Sequence, residues 1–354
     1  MYMKNKILNF NVSTVNNEYS IRKEAVNQPI YFRTQQLSDK VKECEKLILK
    51  FYNCIDGRVI FMCGTGTLGM EALIDNLISS NDKTLVINGG TFGKRWVNLC
   101  NIHNIDVFNY ESGFGKDVDL TELEKIIIDI KPKFLLMQHV ETSSGQLYNV
   151  ESIGTLCKRY DVKLILDSMT GFLIHETFID KWNVYATVTS SHKGMCLYPG
   201  LCIIVLNKNA ASTTFHSKNM YNNFSSYLNK FDAMYFPFTA NVPIINQMYL
   251  KLKKIDKIGI KKHLKYIEKL AINFRKKIKN LNVKIVANTP SNCCTVLYTD
   301  RIDVKNFFEK MIHKNIYFTP TNGDRGKISI GHLGDLKLKD YDILIKEIEK
   351  WIKS

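Results

Sequence analysis

The sequence lacks any unbroken apolar run long enough to cross a lipid bilayer. Its longest runs, such as LCIIVL at 201–206, fall far short of the roughly 20 residues that a membrane-spanning helix needs. The first residues, MYMKNKILNFNVSTVNN, also lack the apolar segment of a secretory signal peptide. We therefore expect a soluble, cytoplasmic protein that has no membrane partner.

The nine cysteines lack the spacing of a disulfide framework or of a zinc site. No pair has Cys-x-x-Cys spacing, Cys293 and Cys294 are adjacent, and most of the others lie inside apolar runs. An odd count at scattered positions argues against structural disulfides and against zinc. We expect buried, reduced thiols and no bound metal.

Acidic residues are in the minority, since 34 Asp and Glu against 49 Lys and Arg give a formal net charge of +15. The excess of bases is concentrated between Lys251 and Lys284, where apolar residues recur every three or four positions. This spacing predicts one long amphipathic helix with a lysine-coated outer face. A nucleic-acid patch is the alternative, but no recognition motif or interleaved aromatic platform accompanies the lysines. We expect a solvated helix face and no nucleic-acid partner.

What the sequence does contain is an alternation of short apolar runs with helical patterns. The helical patterns cover 40–56, 70–78, 92–104 and 120–130, and the apolar runs lie at 58–64, 83–90, 105–110, 133–140, 162–168 and 201–207. Strands that alternate with helices predict an α/β fold with a mainly parallel sheet and helices on both faces. In such a sheet a ligand binds beyond the carboxyl ends of the strands.

The pattern changes after about residue 245, where the basic helix is followed by short apolar runs and two further helical patterns. This part predicts a smaller α+β domain, and a length of 354 residues suits roughly two domains. The predicted division is an N-terminal arm at 1–40 associated with the small domain, a large domain at 41–245, and a small C-terminal domain at 246–354.

Polar residues gather where the predicted strands end. In MCGTGTLGMEA (62–72) a glycine-rich turn lies between a strand and a helix, which makes the helix N-terminus a candidate anion site. An ordinary helix cap is the alternative, because Thr is a fair N-cap residue.

A carboxylate and a lysine complete this group of polar residues. LILDSMTGF places Asp167 at the end of a hydrophobic strand, where a desolvated carboxylate is unfavourable unless a cation meets it. Lys193, in SSHKG before another buried strand, would also be partly desolvated, so that its pKa falls and it can act as a Schiff-base nucleophile. An incidental salt bridge explains either residue taken singly. Pyridoxal phosphate requires the whole set: a phosphate cradle, a carboxylate for the pyridine nitrogen, and a lysine.

These motifs resemble those of the class V, fold-type I aminotransferases, especially the alanine–glyoxylate/serine–pyruvate and 2-aminoethylphosphonate transaminase branch. The resemblance extends from YFRTQQLSD to ISIGHLGD and is densest from 58 to 207. It implies an aspartate-aminotransferase-like large domain, pyridoxal 5'-phosphate as the cofactor, and a homodimer with active sites at the interface.

The resemblance also assigns roles to individual residues. Those implied are Gly66 and Thr67 as phosphate contacts, Phe92 stacked on the pyridine ring, Thr142 bonded to the phenolic oxygen, Asp167 as the pyridinium partner, Lys193 as the lysine that carries the cofactor, His192 beside it, and Thr239 of PFTANVP as a contact to the phosphate of the neighbouring subunit.

One departure from the family pattern concerns the substrate. The family usually has an arginine near the C-terminus that clamps the substrate carboxylate in a bidentate pair, whereas Ser329 stands at that position in ISIGHLGD. Serine cannot form such a pair. We expect Arg325 of NGDRGK or Arg33 of YFRT to bind the substrate instead, with a solvated loop arginine as the alternative for each.

The implied function is transamination between a small amino donor, either an amino acid or an aminophosphonate-like compound, and an oxo acid or aldehyde acceptor. Lys193 is then the catalytic general base and acid. Two alternatives stay open. One is a pyridoxal-phosphate-dependent lyase or decarboxylase acting on an amino compound, which the missing arginine favours. The other is a basic binding protein on the same fold without catalysis.

Overall fold

The computed structural model describes residues 7–232, 236–300, 303–320 and 326–353. The helices are α1 (Tyr19–Arg22), α2 (Gln35–Phe51), α3 (Gly66–Leu77), α4 (Thr91–Ile102), α5 (Leu120–Ile130), α6 (Val150–Arg159), α7 (Lys208–Ala211), α8 (Phe224–Asp232), α9 (Val242–Ile258), α10 (Ile260–Ile278), α11 (Val304–His313) and α12 (Leu338–Lys353). The strands are β1 (Leu8–Asn9), β2 (Arg58–Gly64), β3 (Thr84–Asn88), β4 (Val107–Glu111), β5 (Phe134–Gln138), β6 (Val140–Glu141), β7 (Gln146–Leu147), β8 (Lys163–Asp167), β9 (Val184–Ser190), β10 (Gly200–Leu206), β11 (Lys284–Ile285), β12 (Cys294–Tyr298), β13 (Ile316–Tyr317), β14 (Thr319–Pro320) and β15 (Lys327–Gly331).

The central sheet has the order β2-β10-β9-β8-β5-β3-β4. Its neighbouring strands are parallel except at β10, which is antiparallel to both β2 and β9. Successive strand residues enter opposite cores: Leu85 and Ile87 pack with α2, α5, α6 and α9, whereas Val86 packs with α3, α4 and α8. Since both faces are covered, the central strands are mostly apolar on both sides. The predicted mainly parallel sheet with helices on both faces is confirmed.

Strand β9 was not among the predicted strands. All seven of its residues are buried, yet its sequence VYATVTS has no continuous apolar run. One of its hydroxyl groups is accommodated by hydrogen bonds, since Thr187 Oγ1 donates to the Leu166 carbonyl at 2.7 Å and lies 2.7 Å from Ser168 Oγ. Buried hydroxyls with partners are compatible with a central strand, and hydrophobicity alone does not reveal such a strand.

The prediction of one long basic helix is wrong. The segment forms two helices, α9 and α10, which are separated at Gly259. Gly259 has a φ of 91°, a conformation that residues with a side chain rarely adopt. Its amide still donates to the Ile255 carbonyl and ends α9, and the chain then turns into α10. The apolar spacing continues through the break, which is why periodicity alone suggested a single helix.

The C-terminal part of the chain forms a second sheet, with the antiparallel order β11-β12-β15-β14. Near it, the N-terminal strand β1 pairs in parallel with β13, and the amide of Gly331 donates to the Phe10 carbonyl at 2.6 Å. Phe10 shares a core with Phe274, Phe307 and Phe318. None of the helices in the described ranges is long and apolar enough to span a membrane.

Candidate active site

The carboxyl ends of the central strands carry the polar residues that the sequence singled out. Asp167 is the last residue of β8, Thr142 directly follows β6, and Lys193 lies three residues beyond β9. Together with the N-terminus of α3 and the first turn of α4 they surround a cavity of about 280 Å³. The predicted residues on its wall are Gly66, Thr67, Phe92, Thr142, Asp167, His192 and Lys193. Residues from 66 to 193 thus meet at one edge of the sheet.

Asp167 is a buried carboxyl group without a cation bonded to it. Its side chain is 5% exposed, and Oδ1 accepts one hydrogen bond, from the Met169 amide at 2.8 Å. Burial raises the pKa of Asp167 to about 7, and this effect outweighs the lowering by the Met169 amide. Within the described part of the chain no ion pair involves Asp167. The group is therefore placed to gain free energy from a positively charged ligand.

Lys193 follows β9 in a tight turn, in which the Cys196 amide donates to the Lys193 carbonyl at 2.9 Å. Burial lowers the pKa of Lys193, although nearby Cys293, Asp167 and Cys294 act in the opposite direction. A larger fraction of its amine is therefore neutral near neutral pH than in an exposed lysine. A neutral amine can attack a carbonyl carbon or accept a proton, whereas an ammonium group can do neither.

Gly194 fixes the position of the lysine turn through a close backbone approach. A Cβ at Gly194 would lie 2.0 Å from the carbonyl oxygen of Phe172, an atom that cannot rotate away. We expect Gly194→Ala to lower the free energy of unfolding by roughly 1–3 kcal/mol, as overpacking of a rigid core does. Urea denaturation measures this change.

Gly66→Ala is the matched control for that substitution. A Cβ at Gly66 would meet Met169 Cε at 2.2 Å, but this atom is the far end of a flexible side chain that can move aside. We expect Gly66→Ala to unfold at nearly the wild-type urea concentration. Equal stability of the Gly194 variant and wild type would contradict the proposed role of this contact.

The N-terminus of α3 presents backbone amides to the cavity without a side-chain cap. Its N-cap residue, Thr65, makes no side-chain cap hydrogen bond in the described structure, so the ordinary-cap alternative does not account for the turn. The first amides of a helix have no partners inside the helix and carry a partial positive charge. Gly66 and Thr67 provide these amides at the cavity wall.

Two buried polar atoms on the cavity wall have no hydrogen-bond partner among the described residues. They are Ser190 Oγ and His192 Nδ1, in side chains that are 0% and 8% exposed. Burial lowers the pKa of His192 to about 4, so the ring is neutral. Buried polar groups are nearly always paired, and these two atoms are therefore available to bind a polar ligand.

Phe92 is held in place by the buried carboxylate of Glu141. The Glu141 carboxylate accepts hydrogen bonds from the Phe92 amide at 3.0 Å and the Gly93 amide at 3.1 Å, both in the first turn of α4. It also accepts hydrogen bonds from the amide and hydroxyl of Ser143. A carboxylate at a helix N-terminus is favourable, and here it fixes the backbone that carries the Phe92 ring.

Other cavity residues were missed by the sequence reasoning: Ser13, Arg95, Met169, Thr170 and Ser190. Met169 and Thr170 follow Asp167 directly, and Arg95 lies three residues beyond Phe92 on the same helix, so local spacing could have identified these three. No local signal identifies Ser13, because the N-terminal arm reaches the cavity through the fold alone.

Some predicted residues lie elsewhere. Thr239 lines a separate pocket with Tyr221 and Phe238, and its carbonyl accepts from Cys63 Sγ at 3.5 Å. Arg33 is exposed and donates to the Tyr31 hydroxyl at 3.3 Å, away from the cavity. Ser329 is buried in β15 opposite Val296 and is not on the cavity wall. Arg325 lies outside the described residues.

Comparison with known proteins finds a matching family and relatives that are named as aminotransferases or transaminases. The sequence matches the family described as aminotransferase class-V over residues 10–320. It is 27% identical over 308 residues to a bifunctional phosphonoacetaldehyde hydrolase/aminoethylphosphonate transaminase of Clostridioides difficile, covering 83% of this chain but only 48% of that protein. It is 25% identical over 308 residues to the L-aspartate–glyoxylate aminotransferase of Paracoccus denitrificans, covering 82% of this chain and 76% of the relative.

A solved structure shares the fold over the whole chain. The alanine–glyoxylate aminotransferase of Nostoc sp. superposes with a TM-score of 0.92 at 21% identity, covering 99% of this chain and 96% of that one. At this identity the likeness establishes the architecture.

Proposed function

This chain belongs to the aminotransferase class-V family, and from that premise we propose that it is a pyridoxal-phosphate-dependent aminotransferase. The proposed reaction moves an amino group from a small amino donor to an oxo acid or aldehyde acceptor. The observation that carries the proposal is the convergence of Asp167, Lys193 and the open N-terminus of α3 on one cavity.

The described residues fit pyridoxal phosphate at each of its polar groups. The first amides of α3 and the Thr67 hydroxyl suit the phosphate, and the unpartnered His192 Nδ1 and Ser190 Oγ support a polar occupant. Asp167 suits the protonated pyridine nitrogen, because its carboxylate is buried without a cation. We assign Thr142 to the phenolic oxygen and Phe92 to the face of the ring.

The bound cofactor would supply a carbonyl carbon that condenses with amines and a cationic ring that accepts an electron pair. Lys193 would hold the cofactor through Nζ and, once displaced by the donor's amine, would move the substrate proton. Its lowered pKa keeps Nζ able to accept that proton and return it. Asp167, ionised by a positive ring, would keep the ring nitrogen protonated throughout.

Two features of this chain bear on the substrates. The relatives named above act on aminoethylphosphonate or on aspartate and glyoxylate, which supports a small donor with an anionic group. The buried Ser329, however, cannot bind a carboxylate as an arginine does. This favours an alternative, a lyase or decarboxylase that uses the same cofactor on an amino compound.

We also propose that the enzyme is a homodimer. Thr239 lies away from the cavity of its own chain, in a pocket lined by aromatic residues. A second copy would allow Thr239 to reach the phosphate of the neighbouring site. Analytical ultracentrifugation of the full chain measures the assembly directly.

The test of the proposed reaction uses the cofactor-loaded enzyme and a panel of donors: alanine, serine, aspartate, glutamate and aminoethylphosphonate. A transaminase converts its cofactor to the amine form with at least one donor, and the visible absorbance changes accordingly. An added oxo acid such as glyoxylate or pyruvate then restores the original spectrum. Release of carbon dioxide or a small fragment, with a cofactor that never leaves the aldehyde form, would favour the alternative.

A further inference from the structure

Arg95 connects two walls of the cavity that the proposed function assigns to different parts of the cofactor. Its Nη1 donates to Thr67 Oγ1 at 3.1 Å, at the N-terminus of α3. Its guanidinium carbon lies 4.8 Å from the centre of the Phe92 ring, within cation–π distance. The side chain therefore has its position fixed by contacts with both α3 and α4.

No carboxylate forms an ion pair with Arg95 among the described residues, although Arg95 lies near enough to Asp167 to help lower the pKa of that carboxyl group. Within the described ranges Arg95 forms no ion pair, whereas Arg58 pairs with Glu45 and Asp232, and Arg159 pairs with Glu124. The other cationic side chain on the cavity wall is Lys193. Arg95 is partly exposed at the cavity wall, so its guanidinium can be reached by an anion that enters the cavity.

The hydrogen bond from Arg95 also sets the role of the Thr67 hydroxyl. Because Thr67 Oγ1 accepts from Arg95, its own hydrogen must be directed to another acceptor. The neighbouring α3 amides are donors too, and so is the guanidinium. The part of the cavity formed by Arg95 and the start of α3 therefore presents donors and positive charge, and the unpartnered His192 Nδ1 also belongs to the cavity lining.

We propose that Arg95 binds the phosphate group of the cofactor and supplies the main side-chain positive charge at that end of the site. The inference rests on the proposed function and adds to it a residue for which neither the motif reading nor the relatives' names provide a role. A phosphate monoester carries up to two negative charges, which α3 offsets only partly through its dipole. A planar guanidinium provides paired donors that match phosphate oxygens.

The test compares two aldehydes that differ only in the phosphate. Pyridoxal phosphate and pyridoxal are titrated into the full chain, and the visible absorbance gives a dissociation constant for each. We expect Arg95→Met to weaken pyridoxal phosphate roughly 10- to 100-fold, the range for loss of a charge-assisted hydrogen bond. Pyridoxal, which has no phosphate, should bind within about threefold of wild type, and Arg95→Lys should lie between.

Arg159→Met is the matched control, because it removes the same charge from an exposed, paired arginine away from the cavity. It should leave both constants unchanged. Equal weakening of pyridoxal and pyridoxal phosphate by Arg95→Met would assign Arg95 a purely structural role, and no weakening of either would also overturn the inference. Wild-type protein that binds neither aldehyde would instead refute the proposed function itself, so the two failures are distinguishable.

Discussion

Replacement of Lys193 by alanine is expected to lower the rate of amino-group transfer by at least about 10³-fold with every donor, even at saturating pyridoxal phosphate. The variant loses the amine that holds the cofactor and also the base that moves the substrate proton. No other amine lines the described cavity wall, so we expect no substitute within the chain. The rate of product formation is the measurement.

The same substitution should leave the fold intact. Lys193 forms no ion pair within the described ranges, and its lowered pKa means that the protein environment disfavours its charged form. The visible absorbance that marks a lysine-bound cofactor should disappear, while the far-UV circular dichroism stays as in wild type. Lys94→Ala is the matched control, since Lys94 is exposed in the same motif as Phe92. A Lys193 variant that retains a tenth of the rate would refute the assignment.

Replacement of Asp167 by asparagine should separate activity from stability. We expect transfer to fall by at least about 10²-fold, because asparagine cannot supply the charge that stabilises a protonated ring. The cofactor-free variant, in contrast, should be more stable than cofactor-free wild type at pH 8. A buried carboxylate without a cation is unfavourable, and the amide removes the charge with little change in shape.

The raised pKa of Asp167 determines how the stability difference between Asp167→Asn and wild type changes with pH. Burial raises the pKa of Asp167 from 3.8 to about 7, so the folded protein holds a proton at intermediate pH that the unfolded chain has released. Stability due to this carboxyl therefore falls as pH rises from about 4 to about 7. Between pH 5 and pH 8 the variant should gain about 3 kcal/mol relative to wild type, because part of the effect has already occurred below pH 5. Urea denaturation of both cofactor-free proteins at pH 5 and pH 8 measures the difference between their free energies of unfolding. The histidines also titrate in this range, but both proteins contain the same histidines, so their contribution cancels in the difference.

Asp82→Asn provides a control of opposite sign. Burial alone would raise the pKa of Asp82, but hydrogen bonds from Lys133 and Ser79 outweigh it and lower that pKa. Wild type should therefore gain stability relative to Asp82→Asn as pH rises through the acidic range. A gap between Asp167→Asn and wild type that stays constant from pH 5 to pH 8 would show that Asp167 is ionised in the cofactor-free fold.

The central sheet was predictable because a strand that is buried on both faces contains a short run of consecutive apolar residues. Strands such as β5 and β8 carry unbroken apolar runs, FLLM at 134–137 and LIL at 164–166, and these runs are visible in the sequence. Helix α5 has the predicted bounds, since its apolar stripe is followed by Lys131 in a left-handed conformation. Strand β9 escaped prediction because hydroxyl residues interrupt its apolar residues, and the partners of the Thr187 hydroxyl lie about twenty positions away in the chain.

The candidate site likewise contains residues that the sequence predicted and residues that it did not. Asp167 and Lys193 each stand out locally, as a charge placed against an apolar strand, and the common edge of a parallel sheet implies that they meet. Arg95 and Ser13 do not stand out. Arg95 acquires its role from a contact with Thr67, 28 residues away in the chain, and the arm that carries Ser13 is fixed by pairing between Leu8 and Ile316.

The order of residues along this chain was thus enough to specify the class of fold, the edge of the sheet at which the candidate site lies, and two charged side chains that meet there. Periodicity and the unfavourable burial of charge act over a few neighbouring residues, and both can be read without coordinates. Packing between distant segments decided the rest: the break at Gly259, the buried hydroxyls of β9, and the positions of Arg95 and Ser13 on the cavity wall. These features depend on which distant segments contact each other in three dimensions. Patterns over a few neighbouring residues do not show those contacts.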